Sequence, residues 1–257
     1  MSKRKNSWNK TKYKQYLSAG RGQGEGEMYL PWISIHDFSS LGTVSRIFSY
    51  KANRVLHFMS RNELYYFYLL EWSDKVLDIR EQFPLLDLEL ATDIAGKAGI
   101  KYPTDNISGF PYVLTCDFMI TTENGIKART IKCSGELNNR RTLEKLEIER
   151  RYWKELGIEW RIVTEKEIDI PKAKNIEWLY PSAKLPEYLA DRKYREELLK
   201  RIENNSIQDT ADWFDENYGY PSGSGLRIIK HLLWNRKIVC DMDRIISLDN
   251  NRLTAGY

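Results

Sequence analysis

Two β-rich runs, residues 112–122 and 126–132, meet at Glu123-Asn124-Gly125, and the rest of the chain reads outward from them. Asn-Gly between such runs predicts a hairpin, because both residues tolerate the positive φ of a type I′ turn. With Asn124 and Gly125 as the turn, Glu123 faces Ile126 and Asp117 faces Lys132. Side chains alternate along a strand, so Thr130 shares the face of Lys132, and a carboxylate, a hydroxyl and an ammonium meet on one patch. The run around Asp117 (VLTCDFMI) is too apolar for a strand with one wet face. The sheet is therefore expected to be covered on both sides, where a charge needs a partner or a metal.

Upstream, residues 46–49 and 54–58 read as an edge hairpin. Ser60 and Glu63 have capping-box spacing and open a helix to about Trp72, whose body LYYFYLL is apolar nearly all round and so predicts burial. Residues 75–90 read as a strand, a break at Pro84 and a surface segment, and 91–111 as a long loop. Beyond the hairpin, Asn138 or Asn139 starts a helix that stops at Gly157, with Leu143, Leu146, Trp153 and Leu156 as its inner stripe. Residues 158–163 form the next strand, and a right-handed crossover makes it a parallel neighbour of the second hairpin strand. This predicts an α/β domain with a mixed sheet flanked by helices. Pro171, Pro181 and Pro186 mark a boundary near Ile170, dividing residues 1–169 from 170–257. In the second part, helices over 202–217 and 225–234 precede a small hairpin, 238–240 with 244–248, giving a winged-helix-like domain suited to DNA or to protein docking.

Composition narrows the class. At 257 residues, 42% hydrophobic and 12% aromatic, the chain has the material for one or two cores. No apolar run approaches the ~20 residues of a membrane span, and the Lys-rich start is not followed by an apolar signal segment, so a cytoplasmic protein away from membranes is expected. Cys116, Cys133 and Cys240 are isolated and lack metal spacing, and His36, His57 and His231 form no cluster. The net charge of +4 is unevenly spread: Lys3, Arg4, Lys5, Lys10, Lys12, Lys14 and Arg21 occur in residues 1–24 without one acid. Such a basic arm is either a solvated tail or a grip on nucleic-acid phosphates. Residues 22–26 (GQGEG) lack the preceding strand and the Lys-Ser/Thr of a phosphate loop and read as a flexible joint.

The chemistry follows from spacing. The spacing of Asp117, twelve intervening residues, Thr130, one residue and Lys132 resembles the PD-(D/E)xK nuclease core, with Thr130 in place of its second acid and Glu63 on a preceding helix as a further acid; alone, such a spacing carries little. Oxygen ligands for a hard divalent cation beside a lysine suit phosphodiester cleavage. An ordinary cross-strand ion pair and a helix cap account for the same residues without catalysis.

Longer stretches are more specific. Arg21-Gly22-Gln23-Gly24, Pro31-Trp32, LDIREQFPL over 77–85, RTLEKLEIERRYW over 141–153 and NIEWLY over 175–180 occur in that order. Over residues 20–181 the chain resembles TnsA, the endonuclease subunit of heteromeric cut-and-paste transposases. The resemblance implies a restriction-endonuclease-like N-terminal domain that cuts the 5′ ends of a transposon using Mg²⁺, with Mn²⁺ able to substitute. It implies as partners double-stranded DNA at the transposon ends, a transposase subunit that cuts the 3′ ends, and an ATP-dependent regulator docking at the C-terminal domain. It places the family's acids on Glu63 and Asp117 and its lysine on Lys132. Thr130 stands where the family pattern has Gln, so metal ligation there falls to the threonine hydroxyl, the Ile131 carbonyl, or water held by Glu147. Lys3, Arg4, Lys5, Arg21, Arg140, Arg141 and Lys145 are the candidate DNA contacts. A stand-alone restriction or repair nuclease, and a binding subunit whose nuclease has lapsed at Thr130, are the alternatives.

Overall fold

The β-rich runs do pair, but two residues out of the expected register. The computed structural model describes residues 7–37, 44–249 and 253–255, so Lys3, Arg4 and Lys5 lie outside the described residues. The chain divides into two units, Met1–Ile168 and Asp169–Tyr257.

In the first unit, helix α1 (Lys10–Ser18), capped by Asn9, occupies the expected basic arm. Its anchor is aromatic: Trp8 contacts Tyr16 and Trp32 with ring centroids 5.4 and 6.1 Å apart. The glycine-rich segment is not a flexible joint. The Gly22 amide donates to the Leu30 carbonyl at 2.6 Å, and at φ +72° a Cβ on Gly22 would lie 2.3 Å from Cγ of Pro84. The backbone is there because no side chain would fit.

Strands β1 (Ser45–Ser49) and β2 (Arg54–Phe58) form a separate antiparallel pair. Helix α2 (Arg61–Trp72) starts at Ser60, whose hydroxyl accepts the Glu63 amide at 3.2 Å. Strand β3 (Val76–Pro84) is followed by helix α3 (Leu88–Lys97), which occupies part of the expected surface segment and loop. Asp87 caps it by accepting the Leu90 amide at 2.9 Å, and Ala91, Ile94 and Ala95 make its buried stripe.

Strands β4 (Thr115–Thr122) and β5 (Gly125–Ile131) close on the pair Thr122↔Gly125, so Glu123 and Asn124 are the turn. The positive φ falls on Gly125, at 108°, and not on Asn124. Glycine favours this position after a type I turn, whereas the I′ turn expected from Asn-Gly needs positive φ at both central residues. The slip of two residues keeps every side chain on its expected face, since only an odd slip would reverse them. Asp117 and Lys132 are therefore diagonal neighbours rather than directly opposed.

Helix α4 (Arg140–Glu155) and strand β6 (Glu159–Val163) complete the crossover, with β6 parallel to β5. The sheet order is β3-β4-β5-β6, mixed and covered on both faces. Met119 and Ala128 pack with Ile148, Tyr152 and Trp153 on one face, while Phe118 meets Phe58 and Tyr66 on the other. The α4 stripe is rotated from the expected one: Leu143 and Leu156 are 46% and 50% exposed, and Ile148, Glu149 and Tyr152 point inward.

The second unit contains α5 (Ile170–Leu179), α6 (Arg192–Ile202), α7 (Ile207–Tyr218) and α8 (Ser224–Trp234). Leu198, Phe214, Ile228 and Leu232 lie in its core. Strand β7 (Ile238–Val239) pairs with β8 (Thr254–Ala255), not with 244–248 as expected. The competing bonds come from Asn175, whose side chain donates to the Met242 and Arg244 carbonyls at 3.0 and 2.7 Å and accepts the Ile246 amide at 3.0 Å. Backbone groups satisfied this way are not free for a ladder.

Candidate active site

The first turn of α2, the start of β4 and the residue that follows β5 bring together Glu63, Asp117 and Lys132. Glu63 is 6% exposed and caps its own helix: Oε1 accepts from the Ser60 hydroxyl and Oε2 from the Met59 amide, both at 2.9 Å. Burial, followed by the charge of Asp117, pushes its carboxyl up to about 7, although the Met59 and Ser60 hydrogen bonds and Lys132 pull the other way. Capping and a place in an acidic site are thus compatible.

Asp117 is clamped between its two neighbouring strands. Its Oδ1 accepts from Nε2 of Gln82 on β3 at 3.3 Å, and Oδ2 accepts the Ile131 amide on β5 at 2.6 Å. The Lys132 ammonium stands 3.7 Å from Oδ2 and donates to the Ile131 carbonyl at 2.9 Å. Burial works against that ammonium, but Asp117, Glu149, Glu136 and Glu63 outweigh it and raise its pKa.

Thr130 is 1% exposed, and its hydroxyl is engaged twice. It donates to Oε2 of Glu149 at 2.6 Å and accepts from Nε1 of Trp160 at 3.1 Å. Burial, with a smaller push from Asp117, lifts the Glu149 carboxyl to about 8, against the Thr130 hydrogen bond and Lys132. Glu147 does not reach this patch as a holder of water. Its carboxylate binds Arg150 at 2.7 Å and Arg151 at 2.6 Å along the helix surface, and these arginines, Arg150 first, hold it near 2.

Sequence reasoning missed Glu149 and Gln82. Glu149 lies three positions after Leu146 and three before Tyr152, so a stripe drawn through 146, 149, 152 and 153 would have found it. Gln82 stood in plain view in the LDIREQFPL motif, but nothing in its spacing points to Asp117 on the neighbouring strand, 35 positions along the chain.

The donor set suits a hard divalent cation. Among the described residues no three His, Cys, Asp or Glu side chains converge as a metal cluster. What is present is a pair of carboxylates, Glu63 and Asp117, close enough for one to raise the pKa of the other, together with the Ile131 carbonyl. Magnesium in phosphate chemistry asks for one or two carboxylates and fills its other positions with water and substrate oxygens.

The candidate DNA contacts are dispersed. Arg21 pairs with Asp37 at 2.7 Å and lies over the Tyr16 ring at 3.9 Å. Arg140 pairs with Glu144 at 3.0 Å but is 94% exposed, and Arg141 binds the Lys101 carbonyl at 2.7 Å. Lys145 is exposed on α4. No helix among the described residues is long and apolar enough to cross a membrane.

Comparison with known proteins places these residues in a wider group. The family model described as TnsA-like endonuclease N terminal matches residues 73–165, a span that holds Gln82, Asp117, Thr130, Lys132 and Glu149 and leaves Glu63 just outside. The model described as TnsA endonuclease C terminal matches residues 167–242. The chain is similar to the transposon Tn7 transposition protein TnsA of Escherichia coli, with 43% identity over 194 residues, covering 74% of this chain and 70% of that protein.

Proposed function

This chain belongs to the TnsA endonuclease family, and on that premise we propose that it cuts the 5′ ends of a transposon while a separate transposase subunit cuts and joins the 3′ ends. It is a DNA endonuclease, so its chemistry is phosphodiester hydrolysis. The observation that carries the site assignment is the approach of Lys132 to Asp117 at 3.7 Å beside Glu63, an acid lifted to about 7 in part by Asp117. Buried carboxylates that repel one another favour a cation between them. Glu63, Asp117 and the Ile131 carbonyl would hold it, and their oxygens suit Mg²⁺, with Mn²⁺ able to substitute. When bound, the ion supplies positive charge that polarises the scissile phosphate and activates water for attack.

The chain's own groups supply the rest. Lys132, tethered to the Ile131 carbonyl at 2.9 Å, keeps an ammonium beside Asp117 to steady charge growing on the phosphate. Thr130 serves this site by holding Glu149, since its hydroxyl proton and one lone pair are already committed. Exposed Arg140 and Lys145 offer phosphate contacts, which position DNA without reading its sequence. Something else must choose the cut. We assign end recognition to the transposase subunit, and docking of an ATP-dependent regulator to the winged-helix-like domain from residue 170, whose Ile245 and Val239 are 57% and 51% exposed. The cell compartment is the cytoplasm, where such DNA lies.

The test combines the full chain, with and without its transposase partner, with strand-labelled transposon ends in Mg²⁺. Cutting of the 5′ strand only in the joint reaction, lost in a folded Lys132→Ala protein, is expected. Site-specific cutting by the chain alone would favour a stand-alone nuclease, and an inert but well-assembled parent would favour a lapsed one.

A further inference from the structure

We propose that Gln82 is the positioning residue of the cutting site: its carboxamide fixes the rotation of the Asp117 carboxylate, and a strained backbone puts the carboxamide there. The inference rests on the reading of Asp117 given above.

Gln82 is 5% exposed and has φ 47°. Of the described non-glycine residues with positive φ, Asn53 lies in the β1–β2 turn and Arg236 follows α8, whereas Gln82 lies inside a strand. The β3–β4 ladder is intact on either side, at Glu81↔Phe118 and Phe83↔Cys116. Between these pairs stand Gln82 and Asp117. The Gln82 carbonyl is turned to the N-terminal segment, where it accepts the Trp32 amide at 3.3 Å and the Tyr29 hydroxyl at 3.5 Å. A left-handed glutamine in a buried strand persists only where its surroundings over-determine it, and such strain collects at functional sites.

The side chain is fixed at both ends. Oε1 accepts from the Thr115 hydroxyl at 3.1 Å, and Nε2 donates to Oδ1 of Asp117 at 3.3 Å. From the other side the Ile131 amide holds Oδ2 at 2.6 Å. One donor on each oxygen, from strands on opposite sides of β4, stops the carboxylate turning about its own axis while leaving lone pairs on both oxygens. Outer partners that orient a metal-binding carboxylate in this way typically matter about 10–100-fold in affinity or rate.

The test separates orientation from folding. Gln82→Gly accepts the left-handed backbone and deletes the amide; relief of the strain offsets part of the lost hydrogen bonds to Asp117 and Thr115, so it is expected to fold with a Tm at or modestly below the parent. Direct titration of the full chain with Mn²⁺, without DNA, is expected to show binding weakened about 10–100-fold. In the complex with the transposase partner, kcat for 5′-end cutting falls by a similar factor while KM for DNA is unchanged. Thr115→Val, which leaves the backbone at 82 untouched, moves the same quantities less, and Thr115→Ser restores parent behaviour; this pair carries the test if the glycine variant does not fold. Parent-like Mn²⁺ binding and kcat in Gln82→Gly and Thr115→Val would overturn the role. Asp117→Ala is the reference. If it cuts normally, the underlying site assignment fails, whereas if it is inert and Gln82→Gly is normal, only the positioning role fails.

Discussion

Asp117→Asn should abolish cutting and barely touch the fold, and the hydrogen bonds show why. Both carboxylate oxygens accept from N–H donors, the Ile131 amide at 2.6 Å and the Gln82 carboxamide at 3.3 Å. An asparagine can keep its oxygen on the Ile131 amide, which cannot move, and turn its NH₂ towards Gln82. Gln82 then flips to present its oxygen, and the Thr115 hydroxyl, which can accept as well as donate, takes the flipped NH₂. No buried donor is orphaned. The lost attraction to Lys132 at 3.7 Å is roughly 4 kcal/mol gross at an effective dielectric of 20. Most of that is offset, because a carboxylate no longer has to be held out of water at position 117 and its repulsion with Glu63 disappears. We expect a net change within about 1 kcal/mol, or roughly 2–4 °C in Tm for a unit of this size. Asp117→Ala is different: it strands two buried donors at about 1–3 kcal/mol each, lowering Tm by roughly 5–20 °C. Cutting falls more than about a hundredfold in both, since even outer partners of a metal ligand are worth that much. Thermal melts of the two variants and 5′-end nicking in the joint reaction give the answer. An Asn variant that cuts would remove Asp117 from the chemistry, and one that melts as low as the Ala variant would show that charge, not hydrogen bonding, holds this corner.

Three further outcomes are expected. A carboxyl whose pKa is higher in the fold than in the unfolded chain binds its proton more tightly when folded, so Glu149, lifted to about 8, should make the metal-free protein lose up to about 4 kcal/mol as pH rises from 4.5 to 8; urea unfolding at pH 5 and 8.5 should show a shallower loss in Glu149→Gln, and an identical slope would refute this. Gly22→Ala forces a Cβ to 2.3 Å from Pro84 at a left-handed φ and should cost about 2–5 kcal/mol, read as a lower Tm; a parent-like Tm would mean that the loop simply shifts away. Arg54 grips buried Glu81 at 2.9 and 2.6 Å, so Arg54→Met alone should cost about 3–5 kcal/mol while Arg54→Met with Glu81→Leu recovers much of it, as a double-mutant cycle in urea would reveal.

Much of this was legible because the signals were local. Ser60 and Glu63 announced α2, Asn139 and Gly157 bracketed α4, and the crossover rule gave β6 its parallel neighbour. What failed depended on choices that local sequence leaves open. Asn-Gly permits two turns that differ in which residue takes positive φ, and the observed one moved the ladder by two. Helix α3 was hidden by the Pro and Gly residues after it, although Asp87 and the apolar positions 91, 94 and 95 were available as signals. The wing was misread because Asn175, about 70 positions away, takes the backbone of 242–246. No period in the sequence reports such a long-range polar competitor.

The LDIREQFPL stretch shows how a motif with little chemistry of its own can be so specific. Arg80 donates to Thr121 at 3.2 Å across the ladder. Glu81, 1% exposed, binds Arg54 and the His57 amide of β2. Gln82 reaches Asp117, and Pro84 fills the space that Gly22 vacates. Four positions thus tie one strand to three other elements: the neighbouring strand β4, where they reach both Thr121 and Asp117, the β1–β2 hairpin and the N-terminal loop. Each tie is buried or sterically tight, so a change at any one leaves an unpaired group or a clash that its neighbours cannot absorb. Residues 80–84 therefore act as the frame against which Asp117 is held, and the carboxylate's orientation follows from a strand fixed on every side.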